Sequence, residues 1–254
     1  MNTIFRSLIC FICLTGSLAL SGSAAQAEID PVFFKKAIEE YAQTPEGQKF
    51  LATTVQRYFE RNKFGPTLDE QFARPLQRQN EANRPTQGNS AAPVSVLVYS
   101  DFECPFSLKT AKTLEELLEI YKNDVRVVFK NAPLPPSFHR NAVYAATASL
   151  AAWKQGKFWE MHDALFENQT KLSEELYLDI AKKLDLDLER FKSDMQSEAV
   201  QRIIAEDIKQ AEDNGITGRP AFIIQTARGG ILLKGNKTLE QLKEVVERWL
   251  KDIN

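Results

Sequence analysis

Residues 88–107 read GNSAAPVSVLVYSDFECPFS, and the order of residue types in this stretch sets the architecture. Residues 94–99 are a short apolar run of strand type, rich in valine. A loop follows, then Cys104-Pro105, then a helical pattern through Leu108, Ala111, Leu114, Leu118 and Tyr121. Pro105 suits a first helical turn, where its missing N–H leaves nothing unpaired. Strand, loop and helix thus place one cysteine at a helix N-terminus. There the free N–H groups and the macrodipole favour a thiolate over a thiol.

Working outward, residues 125–129 form a second, β-branched strand, so the unit is βαβ. Residues 139–214 are helical throughout, with breaks at Gly156, near Asn168 and around Asp185, and Gly215-Ile216-Thr217-Gly218 stops the last helix. Two strands at 221–225 and 231–234 are joined by a turn at Gly229-Gly230. Thr238 with Gln241 makes a capping box for a final helix carrying Leu242, Val246 and Leu250. This order is an α/β sandwich with a helical insertion.

The N-terminal part has a different character. Arg6 precedes an apolar run over residues 8–20, and the small residues after it end in Ala25-Gln26-Ala27. That is a cleaved signal peptide at residues 1–27, the run being short for a membrane span. Export then makes the protein periplasmic, with the mature chain starting at Glu28. Cleavage removes Cys10 and Cys13 and leaves Cys104 alone in an oxidising compartment, where no internal disulfide can form.

Residues 28–74 read as an N-terminal helical extension. Asp30-Pro31 and Thr44-Pro45 are two start signals, and Gly65-Pro66 is a stop. The aromatic faces Phe34, Tyr41, Phe50, Tyr58 and Phe59 are too large for two short helices to bury on each other. They predict a homo-oligomer formed through residues 30–64, the competing reading being packing onto the main domain of the same chain. Residues 75–93, rich in Pro, Gln, Asn and Ser, read as a linker to a main domain at 94–254.

Composition narrows the function. With 43% hydrophobic and 26% charged residues, this is an ordinary folded protein, and a net charge of -2 offers no attraction for nucleic acid or, once the signal is gone, for a membrane. His139 and His162, the only histidines, are far apart in sequence and have no second mature cysteine to build a metal site with. No cofactor or metal is expected. His162 reads as a packing residue.

Three stretches together carry a family resemblance: residues 88–107 quoted above, residues 139–169 (notably AAWKQGKFWEMHDALFENQ at 151–169) and residues 215–224 (GITGRPAFII). With the tail at 235–250 they resemble the DsbA-like branch of the thioredoxin superfamily. The resemblance implies a thioredoxin fold with an inserted helical domain at about 139–214. It implies Cys104 as the attacking cysteine and Pro220 as a cis-proline beside it, with Pro105, Phe106 and Arg219 as substrate-contacting neighbours.

The chain departs from the family in three ways. Ser107 stands where the family has its resolving cysteine, so ordinary oxidase cycling within one chain is excluded. Val98 stands where relatives often place a buried acid. Arg219 precedes the proline where small neutral residues are usual, either reaching toward Cys104 or lying solvated in its loop. Glu103 is expected to face outward.

The resemblance thus implies an exported thiol–disulfide oxidoreductase working through one thiolate, with Cys104 and Ser107 as its site. Isomerisation, reduction or client trapping suits that chemistry better than net oxidation. The partners implied are exported protein thiols or disulfides, with glutathione as a releasing thiol. The alternatives are a non-redox peptide-binding or chaperone module, and a disulfide link between two subunits at Cys104.

Overall fold

The computed structural model describes residues 39–253. The expected signal peptide and the expected Asp30-Pro31 helix start lie outside the described residues, as do the side chains of Val55, Tyr58 and Phe59. The chain divides into two compact units, one ending at Gly65 and one starting at Pro66. In the first, helix α1 spans Pro45–Phe64. Thr44 caps it by accepting from the Gly47 N–H, Pro45 fills its first turn, and Gly65 ends it at φ 71°. The Tyr41 and Phe50 rings sit 6.4 Å apart, and Phe50 and Leu51 are exposed.

The second unit opens with a helix the sequence reading had assigned to the extension. Helix α2, Leu68–Ala73, starts at a capping box in which Thr67 and Glu70 satisfy each other's backbone N–H. Its Phe72 ring lies 4.9 Å from Trp249, and Gln71 Oε1 accepts from the Leu232 N–H. Strand β1 (Thr86–Gly88), β2 (Val94–Ser100), helix α3 (Pro105–Ile120) and β3 (Val125–Asn131) follow. Then come α4 (Ala142–Trp153), α5 (Phe158–Glu167), α6 (Glu174–Lys183), α7 (Leu188–Met195) and α8 (Glu198–Asp213). The chain closes with β4 (Ala221–Thr226), β5 (Gly229–Lys234) and α9 (Leu239–Ile253).

The sheet order is β1-β3-β2-β4-β5, with β2 and β3 parallel and the other pairs antiparallel. Every residue of β2 and β4 is buried, which is why both read as continuous apolar runs instead of alternating ones. Alternate residues still serve different cores. Val94, Val96 and Val98 join Leu117, Phe222, Val246 and Trp249 on one face. Leu97 and Tyr99 join Val128, Ile223, Ala211 and Ile216 on the other. The insertion centres on α4, whose alanines let α5, α6, α7 and α8 all approach it. Thr238 and Gln241 exchange the two bonds of the predicted capping box.

Two expectations need correction. The stretch 75–93 is no free linker. Leu76 bridges Gly230, β1 pairs with β3, and Gln225 bonds both Gln79 and Glu81. Buried Arg84 donates to Asp207 at 2.7 Å and Glu206 at 2.9 Å. The polar residues that suggested solvent instead saturate hydrogen bonds along the sheet. The turn between β4 and β5 is also displaced, falling at Ala227-Arg228, with Gly229 and Gly230 inside β5. Those glycines are there for close approach. A Cβ on Gly229 would sit 2.5 Å from the Leu76 carbonyl oxygen, and one on Gly230 would sit 2.7 Å from Ile223.

Candidate active site

Cys104 is the N-cap of α3, with extended backbone at φ -82° and ψ 118°, and it is the one cysteine among the described residues. No side chain caps the helix at this point, so Ser107 and Leu108 N–H turn onto the Cys104 carbonyl. The residue is 5% exposed, and its Sγ lies 3.3 Å from the Arg219 carbonyl oxygen. The Arg219–Pro220 peptide bond is cis, and Pro220 is buried. Gln169 steadies the loop by donating to the carbonyls of Phe102 and Cys104 at 2.7 and 3.0 Å. Thus β2, α3, the loop before β4 and the residues just after α5 meet around one sulfur.

The predicted neighbours fall into place unevenly. Pro105 and Phe106 are exposed, Phe106 at 53%, giving an apolar shelf next to Cys104. Ser107 is buried, and its Oγ accepts from the Asp101 N–H at 3.4 Å. Ser107 and Val98 line a cavity of about 40 Å³, together with Ser100, Thr110, Phe129 and His162. That is more than the ~15 Å³ one water requires.

Arg219 is half-buried and not solvated in its loop. Its guanidinium folds back onto three carbonyls, those of Ala132 (2.5 Å), Ile216 (3.3 Å) and Gly218 (3.2 Å). Burial lowers its pKa, while the charges of Asp101, Glu212 and Cys104 pull it back up. Glu103 does not face outward either. Its carboxylate accepts from the Asn141 N–H at 2.7 Å and so tethers the start of α4 to the cysteine loop. His162 is a packing residue, ringed by Phe102, Phe129, Phe158, Trp159 and Phe166 with centroids 4.9–5.9 Å away.

The sequence reading missed Asp101. Its side chain is fully buried and accepts from Glu103 N–H at 2.7 Å, Leu134 N–H at 2.8 Å and His139 Nδ1 at 2.8 Å. Its own carbonyl accepts from the Cys104 N–H at 3.1 Å. An aspartate three residues before the cysteine was the available signal. Its histidine partner, 38 residues away in sequence, was not readable from spacing.

The family model described as DSBA-like thioredoxin domain matches residues 95–247, which hold Cys104, Ser107, Arg219 and Pro220. The chain belongs to this family. Its DsbA-like fold is shared with a thioredoxin-like oxidoreductase from Silicibacter pomeroyi DSS-3. That match has a TM-score of 0.61 and 29% identity, covering 73% of this chain and 99% of the other. The thiol-disulfide exchange protein alpha-DsbA2 from Wolbachia pipientis shares the fold at TM-score 0.59 and 22% identity, over 66% of this chain and 88% of that one.

Among curated relatives, the Na(+)/H(+) antiporter NhaA 3 of Salinispora tropica is 39% identical over 142 residues, which is 56% of this chain and 22% of the relative. The NhaA of Herminiimonas arsenicoxydans is 30% identical over 161 residues, 63% of this chain and 25% of that one. The chain therefore spans about a quarter of the length of these relatives. No helix among the described residues is long and apolar enough to cross a membrane.

Proposed function

We propose that this DsbA-like protein is an exported thiol–disulfide oxidoreductase acting through the single thiolate of Cys104. The reading rests on one observation. The only described cysteine caps a helix and faces the carbonyl before a cis-proline, with a buried serine three residues later. The Cys104 thiolate attacks a client disulfide, the client S–S bond breaks, and one client sulfur leaves as a thiolate while the other stays bonded to Cys104. Ser107 has no sulfur with which to displace it. Release therefore falls to a second thiol, from the client or a small molecule such as glutathione, which suits isomerisation, reduction or client trapping. Exposed Phe106 supplies apolar contact for a peptide chain. The charged, apolar and small-residue pattern of residues 1–27 supports export to the periplasm through a cleaved signal peptide.

The test is adduct lifetime. Incubated with oxidised glutathione and then freed of small thiols, the mature protein holds one glutathione on Cys104, persistent by mass spectrometry. Ser107→Cys loses that adduct within the same period and gains an internal disulfide. A Cys104 that takes up no glutathione would leave the peptide-binding module as the better reading.

A further inference from the structure

The pair Asp101–His139 has no part in the attack of Cys104, yet its buried aspartate lies in the cysteine's own loop. Asp101 Oδ2 is 2.8 Å from His139 Nδ1, with the aspartate side chain fully buried and the histidine side chain 21% exposed. A carboxylate in this position can only accept, so Nδ1 carries a proton, and in the neutral imidazole that tautomer leaves Nε2 as the proton acceptor. The other donors to Asp101 are backbone N–H groups on two separate segments, which fix it in place. A base oriented by a buried carboxylate is the arrangement that activates thiols, and here the carboxylate's own backbone carbonyl accepts from the Cys104 N–H at 3.1 Å. The charged groups around the pair are Glu103, tied to Asn141 N–H, Arg219, whose charge interacts with Asp101, and exposed Arg140.

We infer that His139, held by Asp101, is the general base for the incoming thiol that resolves the Cys104 mixed disulfide, in place of the missing resolving cysteine. The inference rests on the proposed single-thiolate function. In the step, Nε2 takes the proton of the second thiol. That sulfur bonds to the client sulfur, the bond between the client sulfur and Cys104 Sγ breaks, and Cys104 departs as a thiolate. The incoming thiol is oxidised into the new disulfide, Cys104 is reduced, and the proton passes from Nε2 to solvent. The size of the effect has a ceiling. An ordinary thiol with a pKa near 8.5 is only about 3% thiolate at pH 7, so complete deprotonation gains at most about 30-fold.

The experiment loads Cys104 with glutathione, scores the yield, and follows loss of the adduct at pH 7 by mass spectrometry. Two chasing thiols are compared, 2-mercaptoethanol and the more acidic trifluoroethanethiol. His139→Gln slows loss to 2-mercaptoethanol about tenfold, and loss to the acidic thiol, which needs less help from a base, less than about twofold. Asp101→Asn shares the defect, because an amide can donate to Nδ1 and stabilise the wrong tautomer. If Asp101→Asn fails to fold, the His139→Gln comparison decides alone. Equal rates for wild type and His139→Gln, or an equal deficit with both thiols, would overturn the assignment and leave the single-thiolate function intact. Failure of Cys104 to load would remove both.

Discussion

Arg219 ties the loop before β4 to the loop after β3 by donating to the carbonyls of Ala132, Ile216 and Gly218. Its place before Pro220 was legible from the GRP triplet, and so was its unusual size for that position. Its contacts were not, because the three carbonyls it engages come from two loops that only the fold brings together. Its own carbonyl is the group facing Cys104 Sγ, so the guanidinium acts as a brace behind the peptide that meets the sulfur. Arg219→Ala leaves three carbonyls without that donor and lowers stability by about 2 kcal/mol, read as a fall in urea midpoint at unchanged slope. Arg219→Lys recovers only part of this, since one ammonium cannot reproduce the planar fork. Cys104, Ser107 and Pro220 were legible because each sits in a short motif. His139 was not, since its partner is fixed by loop geometry.

At the level of elements, the helices and strands that carry apolar periodicity stood out in the sequence, with boundaries close to those observed. What escaped was structure made from polar side chains. Residues 75–93 hold almost no apolar side chains, so no hydrophobic pattern betrays β1 or the Leu76 bridge. Glu81 is the centre of this segment, in contact with Arg126, Arg78 and Gln225. Burial pushes its pKa up, but hydrogen bonds from Ser95, Arg126 and Gln225 and the charge of Arg126 outweigh that, and the net shift is downward. A depressed carboxylate pKa contributes stability above its unfolded value and loses it as pH falls through the folded one. Wild type therefore exceeds Glu81→Gln by about 2 kcal/mol at pH 7, and the two converge as pH drops below about 4. Denaturant midpoints across that range check this, and a gap independent of pH would contradict it.

For the molecule as a whole, the fold class followed from element order and the three motifs, while the division into units did not. The break lies at Gly65 and not after residue 74, because α2 looks in sequence like one more helix of the extension and only Phe72 on Trp249 shows where it belongs. The unit ending at Gly65 exposes Phe50 and Leu51, which supports self-association through residues 30–64. Light scattering on the mature protein then reports an oligomer that becomes a monomer when residues 28–65 are deleted. A monomer before deletion would count against it. Where such a deletion stops matters, and the reason lies at the border of the sheet. Gly230 N–H and C=O are both occupied by Leu76, and Leu232 N–H by the Gln71 side chain, so the outer rim of β5 is already spoken for. Cutting at residue 75, where composition suggested a boundary, removes Gln71 and the helix that anchors this plug. The bared rim would be a template on which identical chains stack, and the shortened protein would be lost to aggregation in storage while its chemistry was still sound.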